Sequence, residues 1–311
     1  MLKYKPLISI IIPFFNNEDL LKKYFFQNKK LINFNQDIVE IIYIDDGSLD
    51  EGSKFLRNNI KNLINIKLFK LKKNSGPGIA RNLGLRKAKG KNVIFLDADD
   101  ELIKNGFSKL LNKIKKNNKN DLLFLNYIKK KSNQINLSSK QYKKNMLVKK
   151  FLRTEFDMGS NFYLFKKKFL IDKKIFFKKG FFEDILFMLK VFTNIKKFQR
   201  FKNKVYKKNN VKNSITNTFS LKHVNDFNKT CLDKINYYNK YISKKIKKVS
   251  YDDLQYGLRG DYIFSRRLLS SCKQNKKNTP NIKGFFKRIV SKNFIALTRY
   301  DNIVLEELFK K

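Results

Sequence analysis

Three aspartates, Asp97, Asp99 and Asp100, crowd into four residues immediately after a short apolar stretch at 93–96. At neutral pH such carboxylates repel one another unless a cation or a donor-rich ligand lies among them. Their hard oxygens suit Mg²⁺ or Mn²⁺, and Mg²⁺ is usually held by one or two carboxylates together with the phosphates of a substrate. On spacing alone, a solvated acidic turn that caps the next helix is the other reading. Asp45 and Asp46, followed by Gly47 and Ser48, repeat the arrangement after a second apolar stretch. A carboxylate so placed can accept hydrogen bonds from a base N–H or from sugar hydroxyls. The string NSGPGIARN at 74–82 complements these acids with small residues that open a helix, offering backbone N–H groups and the Arg81 guanidinium to phosphate or base. It is not a full dinucleotide fingerprint, because Arg81 stands where the third glycine belongs, and the chain has no G-x-x-x-x-G-K-S/T phosphate loop. Glu183 and Asp184 precede an apolar run at 185–192. On position alone, such a pair reads as two helix-start acids favoured by the dipole.

These groups act together only if the chain folds them to one place. Short β-branched runs at 7–12, 38–44, 65–71, 93–96 and 122–127 read as strands, the first closed by Pro13. Apolar residues three and four apart read as helices at 18–30, from about 50 to 60, at 77–88 and at 104–116. Strands alternating with helices imply crossover units, hence an α/β domain with a mainly parallel sheet flanked by helices. In such sheets ligands bind outside the carboxyl ends of the strands, which here are PFFNN, DDGS, NSGPGIARN and DADD. Residues 128–150 are polar and Lys-rich, a loop or a long exposed helix, and 151–206 are mixed and rich in aromatics. From about 220 onward the periodicity is helical. The expected division is a domain at 1–216 and a helical, basic C-terminal extension at 217–311.

The chain has 311 residues, 42% hydrophobic and 14% aromatic, with 12 Gly and 4 Pro, which excludes disordered and collagen-like classes. No apolar run approaches the roughly 18 residues of a membrane span, and the start carries no signal-peptide pattern, so a soluble cytoplasmic chain is expected. Cys231 and Cys272 lie far apart and read as reduced thiols. Lys and Arg number 70 against 26 Asp and Glu, a net charge of +44, with the surplus concentrated after residue 100. That field attracts nucleic acid, anionic lipid or phosphates. The shortage of Arg beside abundant Lys, Asn, Ile and Phe equally fits an AT-rich coding sequence.

The strings PLISIIIPFFNNED, IIYIDDGSLDEGS, NSGPGIARNLGLRKAKGKNVIFLDADD and FFKKGFFEDILFMLKV stand in the order seen in family 2 glycosyltransferases, which the chain resembles over roughly 5–216. Val205-Tyr206 and the segment NSIT at 213–216 are similar to a strand and turn of capsule and lipopolysaccharide sugar transferases. The resemblance implies a GT-A fold, a nucleotide diphosphate sugar donor such as a UDP-sugar, Mn²⁺ or Mg²⁺, and transfer with inversion. It gives Asp46 the base, with Pro13 and Asn16 in the same pocket and Arg81 beside the nucleotide. Asp97 would meet the ribose or diphosphate, Asp99 the metal, and Asp184 would be the catalytic base, with Asp45, Asp100 and Glu183 in support. His223 would either complete the metal site or be an ordinary packed side chain. Arg259, Arg266 and Arg267 would meet acceptor phosphate or lipid headgroups, or be solvated. Expected partners are the donor, a glycan or lipid-linked acceptor and an anionic membrane surface, with a peripheral location on the inner face of the cytoplasmic membrane. Nucleic acid is not expected. The competing readings are a nucleic-acid-binding protein and an inactive glycosyltransferase-like scaffold.

Overall fold

The computed structural model describes residues 6–33, 37–116, 119–129, 143–155, 159–209, 219–272 and 280–289. The segment at 213–216 singled out above lies outside them. Contacts divide the chain into two compact units, one of Met1–Gln141 with Gly159–Val211, the other of Tyr142–Met158 with Lys212–Lys311.

The first unit is built on eight strands: β1 (Ile8–Phe14), β2 (Val39–Asp45), β3 (Ile66–Lys70), β4 (Asn92–Phe95), β5 (Glu101–Leu102), β6 (Leu122–Lys129), β7 (Tyr163–Lys166) and β8 (Phe198–Lys208). They form one sheet in the order β3-β2-β1-β4-β7-β6-β8-β5. β1 pairs parallel with β2 (Ile8 with Val39) and with β4 (Ile8 with Asn92), and β2 pairs parallel with β3. Every residue of β1 and β2 is buried, as continuous apolar strands covered on both faces require. The first four strands therefore follow the sequence expectation, with helices α1 (Glu18–Asn33), α2 (Gly52–Ile60) and α3 (Pro77–Lys87) as crossovers. β1 does not close at Pro13 but runs one residue past it, to Phe14. Pro13 lies beyond the last β1–β4 pair, Ile11 with Phe95, so its missing N–H falls where one neighbouring strand has stopped.

The other half of the sheet departs from the parallel pattern. β7 pairs antiparallel with β4 and β6, and β5 with β8, while β6 and β8 pair parallel. The mixed region of the sequence becomes a 3-10 turn (Ser160–Phe162), β7, α6 (Lys167–Asp172), α7 (Glu183–Asn194) and β8. A cluster of Phe95, Phe165, Phe177 and Phe187 joins these pieces, Phe177 and Phe187 stacking at 3.8 Å, so Phe177 belongs to the core. At the amino ends of the strands, fully buried Glu40 accepts Ser9 Oγ at 2.6 Å and the Gly90 N–H at 3.0 Å, tying β2 to β1 and to the turn before β4.

The second unit is helical: α5 (Lys144–Leu152), α8 (Leu221–Tyr237), a π-turn (Tyr238–Ile242), α9 (Ser243–Lys245), α10 (Tyr251–Ser270) and α11 (Ile282–Ile289). Of the stretch 128–150, read as a loop or a long exposed helix, residues 130–142 lie outside the described ones; its end belongs to α5, which is not an exposed helix but buries Leu147, Val148, Phe151 and Leu152. Gly257 of α10 lets α5 approach, since a Cβ there would lie 1.7 Å from the Leu152 carbonyl oxygen. Lys234 and Asp261 form a buried ion pair between α8 and α10. Arg259, read as meeting acceptor phosphate or headgroups or as solvated, is 4% exposed, whereas Arg266 and Arg267 remain exposed.

Close packing also decides α4 (Lys104–Lys115), where a Cβ on Gly106 would fall 1.7 Å from the Lys204 carbonyl oxygen of β8. Helix propensity alone favours alanine over glycine by up to about 1 kcal/mol. The backbone displacement outweighs it, and overpacking typically costs about 1–3 kcal/mol. Gly106→Ala is expected to lower the urea unfolding midpoint; a midpoint equal to or above that of the parent chain would show that α4 does not sit this close to β8.

Candidate active site

The carboxyl ends of β1, β2 and β3 are laced together by main-chain hydrogen bonds. Fully buried Asp45 accepts the Ser48 N–H at 2.6 Å, the Ser53 hydroxyl, and Lys70 Nζ at 3.2 Å. Burial pushes its carboxyl up, but these donors outweigh it and hold the pKa below the ordinary value. Asp46 accepts the Ser75 N–H at 2.8 Å on one oxygen and the Gly76 N–H at 2.7 Å on the other, which fastens the NSGPG loop to the end of β2. Burial nevertheless raises the Asp46 pKa. Asn16, in the left-handed region at φ 48°, donates its N–H to Ser48 Oγ at 3.0 Å and accepts the Leu49 N–H at 2.9 Å. Pro13 is buried within β1 and Asn16 is exposed at the rim. Gly47 adopts φ 79° against the chain at Lys73–Asn74, where a Cβ would meet the Lys73 carbonyl carbon at 2.7 Å.

Beyond β4 the backbone turns sharply, the Asp100 N–H donating to the Asp97 carbonyl at 3.0 Å. The turn gathers carboxylate oxygens of Asp97, Asp99 and Asp100 within 4.8 Å of one another. Their partners differ. Asp97 accepts Arg81 Nη2 at 2.9 Å and the Asn161 side-chain amide. Asp100 is buried and accepts the Tyr206 hydroxyl and the Asn209 N–H, the latter at 2.8 Å. Asn209 also donates Nδ2 to the Asp99 carbonyl and to Glu101, both at 2.9 Å, so the end of β8 clamps the acidic turn. The half-buried Asp99 carboxylate has no side-chain hydrogen bond among the described residues. Burial and then the Asp97 charge push Asp99 up to about 6. Burial, with Asp97 and Asp99 alongside, pushes Asp100 up to about 8. A hard-oxygen donor set whose charges repel, with one carboxylate left without a hydrogen-bonding side chain, fits a divalent cation at Asp99.

Arg81, on α3 and 5% exposed, connects this turn to the start of α7. Its Nη1 lies 2.5 Å from Glu183 Oε1 and its Nη2 2.9 Å from Asp97 Oδ1, with the guanidinium 5.5 Å from the Phe177 ring centroid. Burial works against the cation, yet Asp184, Asp97 and Glu183 together raise its pKa. Phe182, at φ 61°, makes the left-handed turn that starts α7, and Gly78 leaves room for Glu183, whose Cγ would lie 2.8 Å from a Cβ there. Burial, then neighbouring Asp184, push Glu183 up to about 7 despite Arg81. Asp184 is half-buried and accepts the Ser160 N–H at 3.3 Å; burial raises its pKa, while Arg81 opposes.

Asp97, Asp99, Asp100, Arg81, Glu183 and Asp184 thus converge in one network, and Asp45, Asp46 and Asn16 brace the adjoining loops. His223 lies in the second unit, where its Nδ1 accepts the Ser220 N–H at 3.1 Å in the cap of α8. Sequence reasoning missed Ser160, Asn161, Tyr206 and Asn209. These neutral residues have no periodic or charge signature, and only Tyr206 stood in a matched string. Asn82 was likewise missed: it braces the site by exchanging two hydrogen bonds, both at 2.9 Å, with the Phe177 backbone.

A sheet in this order, with carboxylates collected at the ends of its parallel strands, defines a GT-A type protein. Residues 9–186 match the model of glycosyl transferase family 2, and the chain belongs to that family. It is 40% identical over 107 residues to an uncharacterized glycosyltransferase of Haemophilus influenzae, a match spanning 34% of this chain and 42% of that one. It is 34% identical over 175 residues to the Campylobacter jejuni GalNAc(5)-diNAcBac-PP-undecaprenol beta-1,3-glucosyltransferase, covering 54% of each. Over 236 residues it is 29% identical to the Borreliella burgdorferi cholesterol galactosyltransferase, covering 71% of this chain and 64% of that one. The matches therefore span between 42% and 64% of these relatives' own length. Among solved structures, S. aureus TarS 1-349 in complex with UDP-GlcNAc superposes with a TM-score of 0.72 at 19% identity, over 97% of this chain and 89% of that one.

Between the ordinary value of 4.5 and about 7, folded Glu183 holds a proton that the unfolded chain releases. The unfolding free energy contributed by this group therefore falls as pH rises through that window. Glu183→Gln is expected to make the slope of stability against pH shallower there, read from urea midpoints; an unchanged slope would mean Glu183 is ionised throughout. Arg81→Met leaves Asp97 and Glu183 without their counter-charge and is expected to destabilise the fold by about 3–5 kcal/mol at neutral pH.

Proposed function

We propose that this chain is an inverting, metal-dependent glycosyltransferase. In this reading it moves a sugar from a nucleoside diphosphate donor, a UDP-sugar in the first instance, to a hydroxyl of a cell-surface glycan or lipid-linked acceptor. The observation that carries the reading is the convergence of the Asp97–Asp100 turn and the Glu183–Asp184 pair through Arg81 within one compact unit. The relatives support the substrate classes: the Campylobacter protein is named for a polyprenol-linked glycan, and TarS was solved with UDP-GlcNAc. A further structural neighbour, a Pyrobaculum calidifontis mannosyltransferase with a TM-score of 0.55 at 12% identity, was solved with GDP-Man and Mn²⁺ and covers 99% of this chain and 89% of that one.

Asp46, with Pro13 and Asn16, would contact the base, and Asp45 keeps the turn after β2 rigid. Asp97, with one oxygen held by Arg81 and the other by Asn161, would meet the ribose or the diphosphate edge. Asp99 would hold Mn²⁺ or Mg²⁺ with Asp97 and Asp100 beside it; such a cation supplies Lewis-acid neutralisation of the leaving diphosphate. Asp184 takes the proton of the acceptor hydroxyl as its oxygen attacks the anomeric carbon. The bond from that carbon to the diphosphate oxygen breaks with its electron pair, leaving the diphosphate on the opposite face, so the configuration inverts. The raised pKa of Asp184 makes it a better proton acceptor than a solvated carboxylate, and general-base assistance contributes on the order of 10² to 10⁴ in rate. Among the described residues no helix is long and apolar enough to cross a membrane. The proposal places the chain peripherally at the inner face of the cytoplasmic membrane, where a lipid-carried acceptor is presented.

Asp184→Asn is expected to leave UDP binding intact and lower kcat by at least about a hundredfold, measured as transfer or as donor hydrolysis. Near-normal turnover would remove Asp184 as the base. Asp99→Asn is expected to abolish the additional thermal stabilisation that Mn²⁺ gives in the presence of UDP, and persistence of that shift would remove Asp99 from the metal site.

A further inference from the structure

Five lysines stand exposed within nine residues of the second unit: Lys240, Lys244, Lys245, Lys247 and Lys248. No acidic residue interrupts the chain between Lys234 and Tyr251. The ion pairs of this unit involve Lys149, Lys150, Arg153 and Lys234, and none of the five lysines has an ion pair among the described residues. A fixed piece of structure displays them. Ile242, Ile246 and Val249 are buried, the Tyr238 hydroxyl donates to the Val249 carbonyl at 3.2 Å, and the Val249 N–H donates to the Ile246 carbonyl at 3.0 Å. The π-turn brings two of the cations to one ring, with Lys240 Nζ at 5.4 Å and Lys245 Nζ at 5.7 Å from the Tyr241 centroid, and Tyr237 4.9 Å away on the same ring. Tyr251, beside the patch, is exposed.

We propose that residues 240–248 are the surface by which this chain docks on an anionic phospholipid membrane. The inference rests on the reading of a lipid-carried acceptor above and names the contact that reading leaves open. Compact ammonium groups held without counter-ions match a layer of phosphate headgroups, and tyrosines suit the headgroup level because one end is apolar and the other polar. A nucleic acid is the poorer partner. Single strands bind by stacking bases on aromatic faces, and Tyr241 is already engaged by two ammonium groups and Tyr237. Of the arginines suggested by the sequence, Arg259 is buried, and Arg266 and Arg267 are exposed on α10, outside residues 240–248.

The test is co-sedimentation of the full chain with vesicles of phosphatidylcholine alone and of phosphatidylcholine mixed with phosphatidylglycerol. Two variants of equal charge are compared with the parent. One carries Lys240→Gln, Lys244→Gln, Lys245→Gln, Lys247→Gln and Lys248→Gln; the control carries Lys89→Gln, Lys109→Gln, Lys115→Gln, Lys119→Gln and Lys173→Gln, all exposed in the first unit. The parent is expected to bind only the anionic vesicles. The first variant should lose at least about tenfold in partitioning and the control far less. Equal losses in the two variants would make binding a property of total charge and overturn the proposal. Undiminished binding by the first variant would also overturn it, as would tighter binding to single-stranded RNA lost in the same variant. UDP-sugar hydrolysis should be equal in parent and first variant. A parent that binds vesicles through these lysines but turns over no nucleotide sugar would sink the transfer reading and leave this surface standing.

Discussion

A single buried guanidinium makes the candidate site possible. Five carboxyl groups, Asp97, Asp99, Asp100, Glu183 and Asp184, are drawn to one place where burial raises the pKa of the last four. Taking such charges from water costs several kcal/mol each unless a counter-charge with good geometry is supplied. Arg81 supplies it from α3, one nitrogen to Asp97 and the other to Glu183. Its position depends on α3 lying close to β1, which Gly84 permits, since a Cβ there would fall 2.3 Å from Ile11 Cγ2. Packing of a glycine on the sheet thus determines whether the electrostatics of the site can exist.

The acids divide by how fully their oxygens are engaged. Asp45, Asp46, Asp97 and Asp100 accept two or more protein donors each and act as braces: Asp45 for the turn into α2, Asp46 for the NSGPG loop, Asp97 for Arg81 and Asn161, Asp100 for the end of β8. Asp99 and Asp184 retain most of their capacity for a ligand. Neighbouring aspartates with the same chemistry therefore do different work. A braced carboxylate fixes geometry, and an open one, destabilised by its surroundings, has the most to gain from a cation or a proton.

The second unit shows the same sorting for cations. Lys234 and Arg259 are turned inward, Lys234 against Asp261, while the lysines after Tyr238 are held outward by a buried apolar spine. Net charge is therefore a poor guide to which basic residues meet a partner. Burial and local pairing decide it.

The amino-acid sequence determined the parallel half of the sheet, because β-branched runs, turn residues and helical spacing are properties of a few neighbouring residues. The positions of DDGS, DADD and Glu183–Asp184 at element ends follow from the same local rules. The antiparallel half, the inward helix α5 and the neutral partners of the acids were decided only by tertiary structure. Asn161 reaches Asp97 across 64 residues and Tyr206 reaches Asp100 across 106. No local pattern encodes such pairs, since they exist only after packing has brought distant strand ends together and excluded the water that would otherwise have been their partner.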